Sequence, residues 1–210
     1  MVAKGLILTY SFAVALNYDQ AVRESTIIET GQVTDRHTVA DWFSYCREVT
    51  GVYLDGLYET AGPIGGPGHV IQVDEMKLGR RKFNKGRLVE GNWLLGLIDE
   101  DTNEIRLEIC PNNKRDADTL SALIQKHAKQ DTTLLTDCWK GYAKLNAYNF
   151  EHWTVNYKLH FVNPETQVST NKIESQWRGI RKRLARGGVT GEKLADHMCE
   201  CLWRCDSPRR

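Results

Sequence analysis

Residues 59–69, ETAGPIGGPGH, hold four glycines and two prolines and show neither helical nor strand periodicity. Such a stretch ends any regular element that runs into it, and it divides two kinds of hydrophobic pattern. Before it, apolar residues recur with a period near 3.6. After it come short apolar runs of strand length, each bounded by turn-forming residues. The chain therefore reads as an all-helical module over 1–58, a linker over 59–69 and an α/β domain over 70–205.

The helical module has three expected helices. GLILTYSFAVAL (5–16) is apolar, YDQAVREST (18–26) is short and polar, and DRHTVADWFSYCREVTGVYL (35–54) places Val39, Trp42, Phe43, Cys46 and Val49 along one face. Three such helices suit either a helix-turn-helix unit reading a DNA groove or a plain packing module. The long IIETGQV connection weakens the first reading. No run approaches the roughly 20 apolar residues needed to span a bilayer, and no secretory signal is expected. The six cysteines follow no disulfide or paired CxxC pattern, so reduced thiols in a cytosolic or nuclear setting are expected. His197, Cys201 and Cys205 share a helical face, but a fourth zinc ligand is missing from the pattern.

Beyond the linker, VIQVDEMKLG, NWLLGLID and EIRLEICP read as three antiparallel strands. DADTLSALIQKHA (116–128) is a helix with an aspartate cap, TTLLTDC (132–138) a fourth strand, WKGYAKLNAYN a helix or turn, and TVNYKLHFV (154–162) a fifth strand. A basic helix, NKIESQWRGIRKRLARG, follows from 171 to about 187. The expected architecture is a mixed five-stranded sheet flanked by helices.

Asp74 and Glu75 interrupt the apolar run of the first strand. A carboxylate removed from water must be protonated, paired or metal-bound. If the first and fourth strands are neighbours, Asp74 and Asp137 meet at one end of the sheet, and a helix packed across it aims Glu174 at the same point. Three converging carboxylates repel unless a divalent cation intervenes, and hard oxygen ligands suit Mg²⁺ or Mn²⁺. Two such ions are the standard equipment of phosphodiester chemistry. Taken singly, Asp137 is better explained by capping a helix that begins at Trp139, and Glu174 by complementing a helix dipole, than by catalysis; their joint placement on strand and helix favours a site.

VIQVDEMKLGRRKFNKGRLVEGNWLLG, TTLLTDCWKGY and FVNPETQVSTNKIESQWRGIRKRL together resemble the DDE-type transposase domain of bacterial insertion sequences and animal Merlin elements, through a first Asp, a TDxWKxY motif and a TNxIExxW motif in order. The resemblance covers about 64–204. It implies an RNase H-like fold, metal-dependent cleavage and joining of transposon ends with two Mg²⁺ or Mn²⁺ ions, and Asp74, Asp137 and Glu174 as the acidic triad, the last two 37 positions apart. Arg181 stands where relatives extend the triad with a basic residue, nearly two turns after Glu174 and on its face. Asn171 belongs to the same signature and either orients Glu174 or shares its role. The implied partners are the terminal repeats of a double-stranded element and further copies of the chain in a dimer or larger synaptic assembly, located in a nucleus or a bacterial cytoplasm.

Three departures are visible. Ser169 and Tyr157 replace histidines common in relatives, and the sequence starts in the helical region without the cysteine pairs of a zinc ribbon. A truncated or domesticated copy that grips DNA without cutting it is the alternative these suggest. A hybrid-specific ribonuclease is a third reading, disfavoured by the basic helix.

With 28 basic and 27 acidic residues, DNA affinity must come from local patches. Arg80, Arg81, Lys82, Lys85 and Arg87 form one block, and Arg178, Arg181, Lys182, Arg183 and Arg186 another. Both flank the acids and suit phosphate neutralisation rather than base reading. Trp139, Tyr142 and Trp177 are expected to pack the core rather than stack on bases.

Overall fold

The computed structural model describes residues 2–27, 31, 33–78, 91–155, 171–184 and 193–206. Three helices come first: α1 (Val2–Ala13), α2 (Tyr18–Ser25) and α3 (Arg36–Ala61). Asn17 opens α2 with a reciprocal cap, its side chain accepting from the Gln20 N–H while the Gln20 side chain takes the Asn17 N–H. Asp35 caps α3 by accepting from the His37 N–H. This helix runs beyond the expected Leu54 to Ala61, because Gly62, at φ 69°, supplies the left-handed residue that stops it. The stretch expected as linker thus contains the last turn of α3, and Ile64, buried, bridges to Ala128.

Five strands follow, with helices interleaved: β1 (Val70–Leu78), β2 (Asn92–Asp99), β3 (Ile105–Ile109), α4 (Ala117–His127), β4 (Thr133–Asp137), β5 (Glu151–Val155), α5 (Asn171–Leu184) and α6 (Lys193–Asp206). The sheet order is β3-β2-β1-β4-β5, with β1, β2 and β3 antiparallel and β4 and β5 parallel to β1. This is the mixed, helix-flanked, RNase H-like sheet that the resemblance implies. The segment after β4 forms two 3₁₀ turns, Lys140–Tyr142 and Leu145–Tyr148. The fifth strand starts at Glu151, earlier than expected, because TLLTD pairs with EHWTV. The expected continuation of that strand to 162 lies outside the described residues.

Period-2 alternation sends Met76 and Leu78 to one face of the sheet and Ile71 and Val73 to the other. The first face, with Leu94 and Ile98, is covered by Ile173, Trp177 and Ile180 of α5, by Met198 and Leu202 of α6, and by Leu54 near the end of α3. The second, with Leu95, Leu97 and Leu134, is covered by Leu120 and Ile124 of α4 and by Tyr142 and Leu145. Leu8, Phe12, Ala21, Val39 and Phe43 form a third cluster among α1, α2 and α3, joined by Trp203 of α6.

Polar contacts bind that cluster to α6. Arg47 Nε meets Glu200 Oε2 at 2.7 Å, both partners well shielded. Arg204 donates to the Phe12 and Ala13 carbonyls that end α1, and carbonyls there have no partner within the helix. Among the described residues no helix is long and apolar enough to cross a membrane.

Candidate active site

The β1–β4 register brings two acids level. Gln72 pairs with Leu135, and two residues further along each parallel strand stand Asp74 and Asp137. Alternation points Gln72, Asp74 and Met76 toward α5. The contacts agree: Gln72 Oε1 accepts the Ile173 N–H at 2.9 Å, a first-turn donor of α5 with no intrahelical partner. Trp177 Nε1 donates to Asp74 Oδ2 at 2.9 Å. Glu174 lies between these anchors, exposed in the first turn of α5.

Asp74 carries the electrostatic mark of this arrangement. Burial pushes its pKa up to about 6, and the Asp137 and Glu174 carboxylates push the same way, against the Trp177 donor and the Glu75 N–H. Its neighbour Glu75 points to the other face of the sheet and is pushed up to about 7. Burial is the main cause, and Asp74 and Asp137 add to it. Tyr142 and Arg115 act in the opposite sense on Glu75, yet Glu75 Oε1 and the Tyr142 hydroxyl do not reach hydrogen-bond geometry and stay buried without a partner. Asp137 Oδ1 accepts the Trp139 N–H at 2.9 Å. The capping role weighed from the sequence is not filled: this bond makes a turn ahead of the 3₁₀ segment Lys140–Tyr142, whose N-cap is Trp139 and which carries no side-chain cap.

The other expected site residues divide into three groups. Asn171 begins α5, and its side chain is outside the described residues. Arg178, Arg181, Lys182 and Arg183 are all exposed on α5. Arg183 is turned toward α6, where it donates to the Cys201 carbonyl and the Cys205 sulfur. Arg80, Arg81, Lys82, Lys85, Arg87, Arg186, Ser169 and Tyr157 lie outside the described residues. As for the zinc pattern weighed on α6, Cys201 is buried, its thiol pushed up to about 12 chiefly by burial. That suits a packed thiol rather than a thiolate ligand.

Two contributors escaped sequence reading. Trp177 was assigned to the core, where most of it is, but its indole N–H had to find an acceptor once buried. Gly96 pairs with Asp74 across β1 and β2. A Cβ there would stand 2.5 Å from the Trp177 ring, so the missing side chain is the slot through which the indole reaches Asp74. A glycine inside NWLLGLID was the available signal, because strand-interior glycine marks close approach.

Among the described residues, one group of three metal-competent side chains has its ligand atoms within 4.8 Å of each other: His69, Asp99 and Asp101. The oxygens of Asp74, Asp137 and Glu174 are not drawn that close. The histidine group lies at the start of β1, and its buried member, Asp99, is already engaged. Asp99 Oδ1 accepts the Asp101 and Thr102 N–H groups, and Oδ2 faces His69 Nδ1 at 2.8 Å. Burial raises the Asp99 pKa, but these bonds outweigh it and hold the carboxyl below its usual value.

Comparison with known proteins places this geometry in context. The model of the ISXO2-like transposase domain family matches residues 64–206, more than half of the chain. A Haemophilus influenzae protein described as an uncharacterized transposase-like protein is 28% identical over 87 residues, 41% of this chain and 69% of that one. Among solved structures, the catalytic core domain of BIV integrase gives a TM-score of 0.45 at 16% identity, covering 67% of this chain and 85% of that one. The HTLV-2 integrase catalytic core domain in complex with magnesium, in its trimeric form, gives 0.40 at 15% identity, covering 65% and 84%.

Proposed function

Because the chain belongs to the ISXO2-like transposase domain family, we propose that it cleaves DNA and transfers the cut strand, with Asp74, Asp137 and Glu174 holding two divalent ions, Mg²⁺ or Mn²⁺. The reading rests on Asp74, a shielded carboxylate whose proton affinity is raised by burial and by two further carboxylates. The donors the protein offers this group do not offset that rise, and a hard divalent cation would. The donor set fits: three carboxylates, with no soft thiolate or imidazole among them. When bound, the ions activate the attacking water or 3′-hydroxyl and stabilise the departing oxygen.

The protein's own residues do the positioning. Trp177 fixes the Asp74 carboxylate, the Trp139 N–H fixes one oxygen of Asp137 and leaves the other available, and Gln72 seats the first turn of α5, which carries Glu174. Arg178 and Arg181 follow Glu174 by four and seven residues, so both lie on its side of the helix, within reach of a DNA phosphate. Asn171, one turn earlier, orients Glu174 or shares its role. The substrate is double-stranded DNA bearing the terminal repeats of a mobile element, and the working unit is a dimer or larger assembly that holds two ends together.

The test is nicking of supercoiled plasmid and cutting of terminal-repeat DNA in Mg²⁺ or Mn²⁺. Asp74→Asn, Asp137→Asn and Glu174→Gln should each abolish cutting with the fold intact. Full activity in any one of them removes that residue from the mechanism. Salt-sensitive DNA binding by the unaltered chain without metal-dependent nicking would support the binding-only alternative that Ser169 and Tyr157 suggest.

A further inference from the structure

We infer that Arg115 is a phosphate-binding residue, built to hold the backbone of a DNA strand where the chain leaves Asp137 and enters the Trp139 loop. The inference rests on the DNA-directed reading above and adds a contact on the sheet face opposite α5.

The guanidinium of Arg115 is packed close to two indoles. Arg115 lies between the 3₁₀ turn at Pro111–Asn113 and α4. Its guanidinium carbon is 3.9 Å from the ring centroid of Trp93 on β2 and 4.3 Å from that of Trp139, which follows β4. A guanidinium packed against indoles by cation–π attraction keeps its N–H fork, which matches phosphate oxygens two at a time. Among the described residues those donors meet no acceptor: Arg115 makes no hydrogen bond and no ion pair, and the Glu75 carboxylate that feels its charge is not within ion-pair distance. The side chain is half-buried.

Cation–π attraction to two indoles and the nearby Glu75 carboxylate account for a positive charge here. Neither takes up the hydrogen-bonding donors of the guanidinium, and those are what a phosphate would use. The surrounding framework is built to hold the fork still. Asn113 accepts the Trp93 N–H at 2.8 Å and donates to the Gly91 carbonyl at 2.9 Å, fixing the Arg115 segment to the start of β2. Trp139 lies over Gly141 so closely that a Cβ there would meet the indole at 2.0 Å. A guanidinium immobilised in advance loses little freedom on meeting an anion.

Location decides which anion. Trp139 is two residues from Asp137 and donates its backbone N–H to that carboxylate, so Arg115 and the acid pocket share one loop. Exposed cations surround the fork: Lys77, whose Nζ is 5.5 Å from the Trp93 centroid, and Lys114 and Lys140. An extended polyanion running past the acids engages several of these charges together, which a single small anion does not.

The experiment measures binding of a short duplex to the full chain in excess chelator across about 50 to 200 mM salt, so that cleavage plays no part. Each phosphate contact contributes roughly 0.9 to the slope of log affinity against log salt. Arg115→Gln is expected to lower that slope by about 0.9 and to weaken binding roughly tenfold at the low-salt end. Arg115→Lys, which keeps the charge and loses the planar fork, should retain the slope with a smaller loss of affinity. An unchanged slope and affinity in Arg115→Gln overturns the inference. So does weaker binding at unchanged slope, the sign that Arg115 acts only through Trp139 and its loop. Tryptophan quenching by inorganic phosphate that saturates in the unaltered chain and disappears in Arg115→Gln would assign the fork to free phosphate instead. If the unaltered chain binds no duplex at any salt, the DNA-directed reading falls together with this one. If it binds and only the Arg115 result is negative, that reading stands.

Discussion

Strands β1 and β2 are associated with two groups of acids, one where β1 starts and β2 ends and one around Asp74 in the middle of β1, and the two are built on opposite principles. In the first, Asp99 is wholly buried, yet its oxygens are taken up by two backbone N–H groups and the His69 ring, and its proton affinity falls. In the other, Asp74 has an indole donor and one backbone N–H, but faces two further carboxylates, and its proton affinity rises. Proximity of acids alone would favour the first cluster as a metal centre. The state of their hydrogen bonds argues the reverse: a carboxylate already compensated by protein donors fastens a turn, whereas one left undercompensated beside other acids awaits a cation.

This contrast is broken most sharply by substitution in both groups. Asp74→Asn should lower DNA cleavage by roughly a thousandfold or more, the rate equivalent of the several kcal/mol that metal coordination supplies. Asp99→Ala should leave the activity of the folded fraction within a few-fold of the unaltered chain. It should instead cost about 2–3 kcal/mol of stability, because the Asp101 and Thr102 donors lose their acceptor. Chemical denaturation of both variants alongside plasmid nicking reads the two effects separately. A loss of chemistry in Asp99→Ala matching that in Asp74→Asn would reverse the assignment of the clusters.

The pH dependence should differ in sign. In metal-free protein the folded pKa of Asp74, about 6, lies above the usual 3.8. Its contribution to stability is therefore fully present below about pH 4 and is lost as pH rises through about 6, a change of about 3 kcal/mol. Asp99, held below its usual value, acts oppositely: its contribution is present above the ordinary carboxylate range and is lost as pH falls. Denaturation midpoints from pH 4 to 7 in chelator should show Asp74→Asn flattening the decline with rising pH. A slope unchanged by that substitution would mean Asp74 is not the shielded acid described here.

The smallest effect concerns the support of the pocket. A methyl group at Gly96 meets the Trp177 ring, so Gly96→Ala should cost about 1–3 kcal/mol through overpacking and shift the indole away from Asp74. Tryptophan fluorescence and the denaturation midpoint report the two parts. A fully tolerated alanine would show that the indole is not confined by β2.

Much of this architecture was legible along the chain. Alternation in VIQVDEMKL marks β1 and assigns Asp74 and Glu75 to opposite faces, and Asp116 announces the start of α4 at the place where it caps the Thr119 N–H. Helix α3 was underestimated because Gly56 and the polar residues near it break the apolar stripe, while Leu54, Leu57 and Tyr58 are held by the core beneath α6. Trp177, Gly96 and Arg115 were passed over because each acts through a partner distant in sequence.

What the sequence alone determined is the order and type of the elements and the face of its own element on which each acid sits, since backbone periodicity is a local property set by neighbouring side chains. What only the tertiary structure decided is which of those faces meet: Asp74 beside Asp137, the Trp177 indole laid over Gly96, and Arg115 between Trp93 and Trp139. Those meetings depend on strand register and on packing summed over the whole sheet, and no short stretch of chain contains that sum.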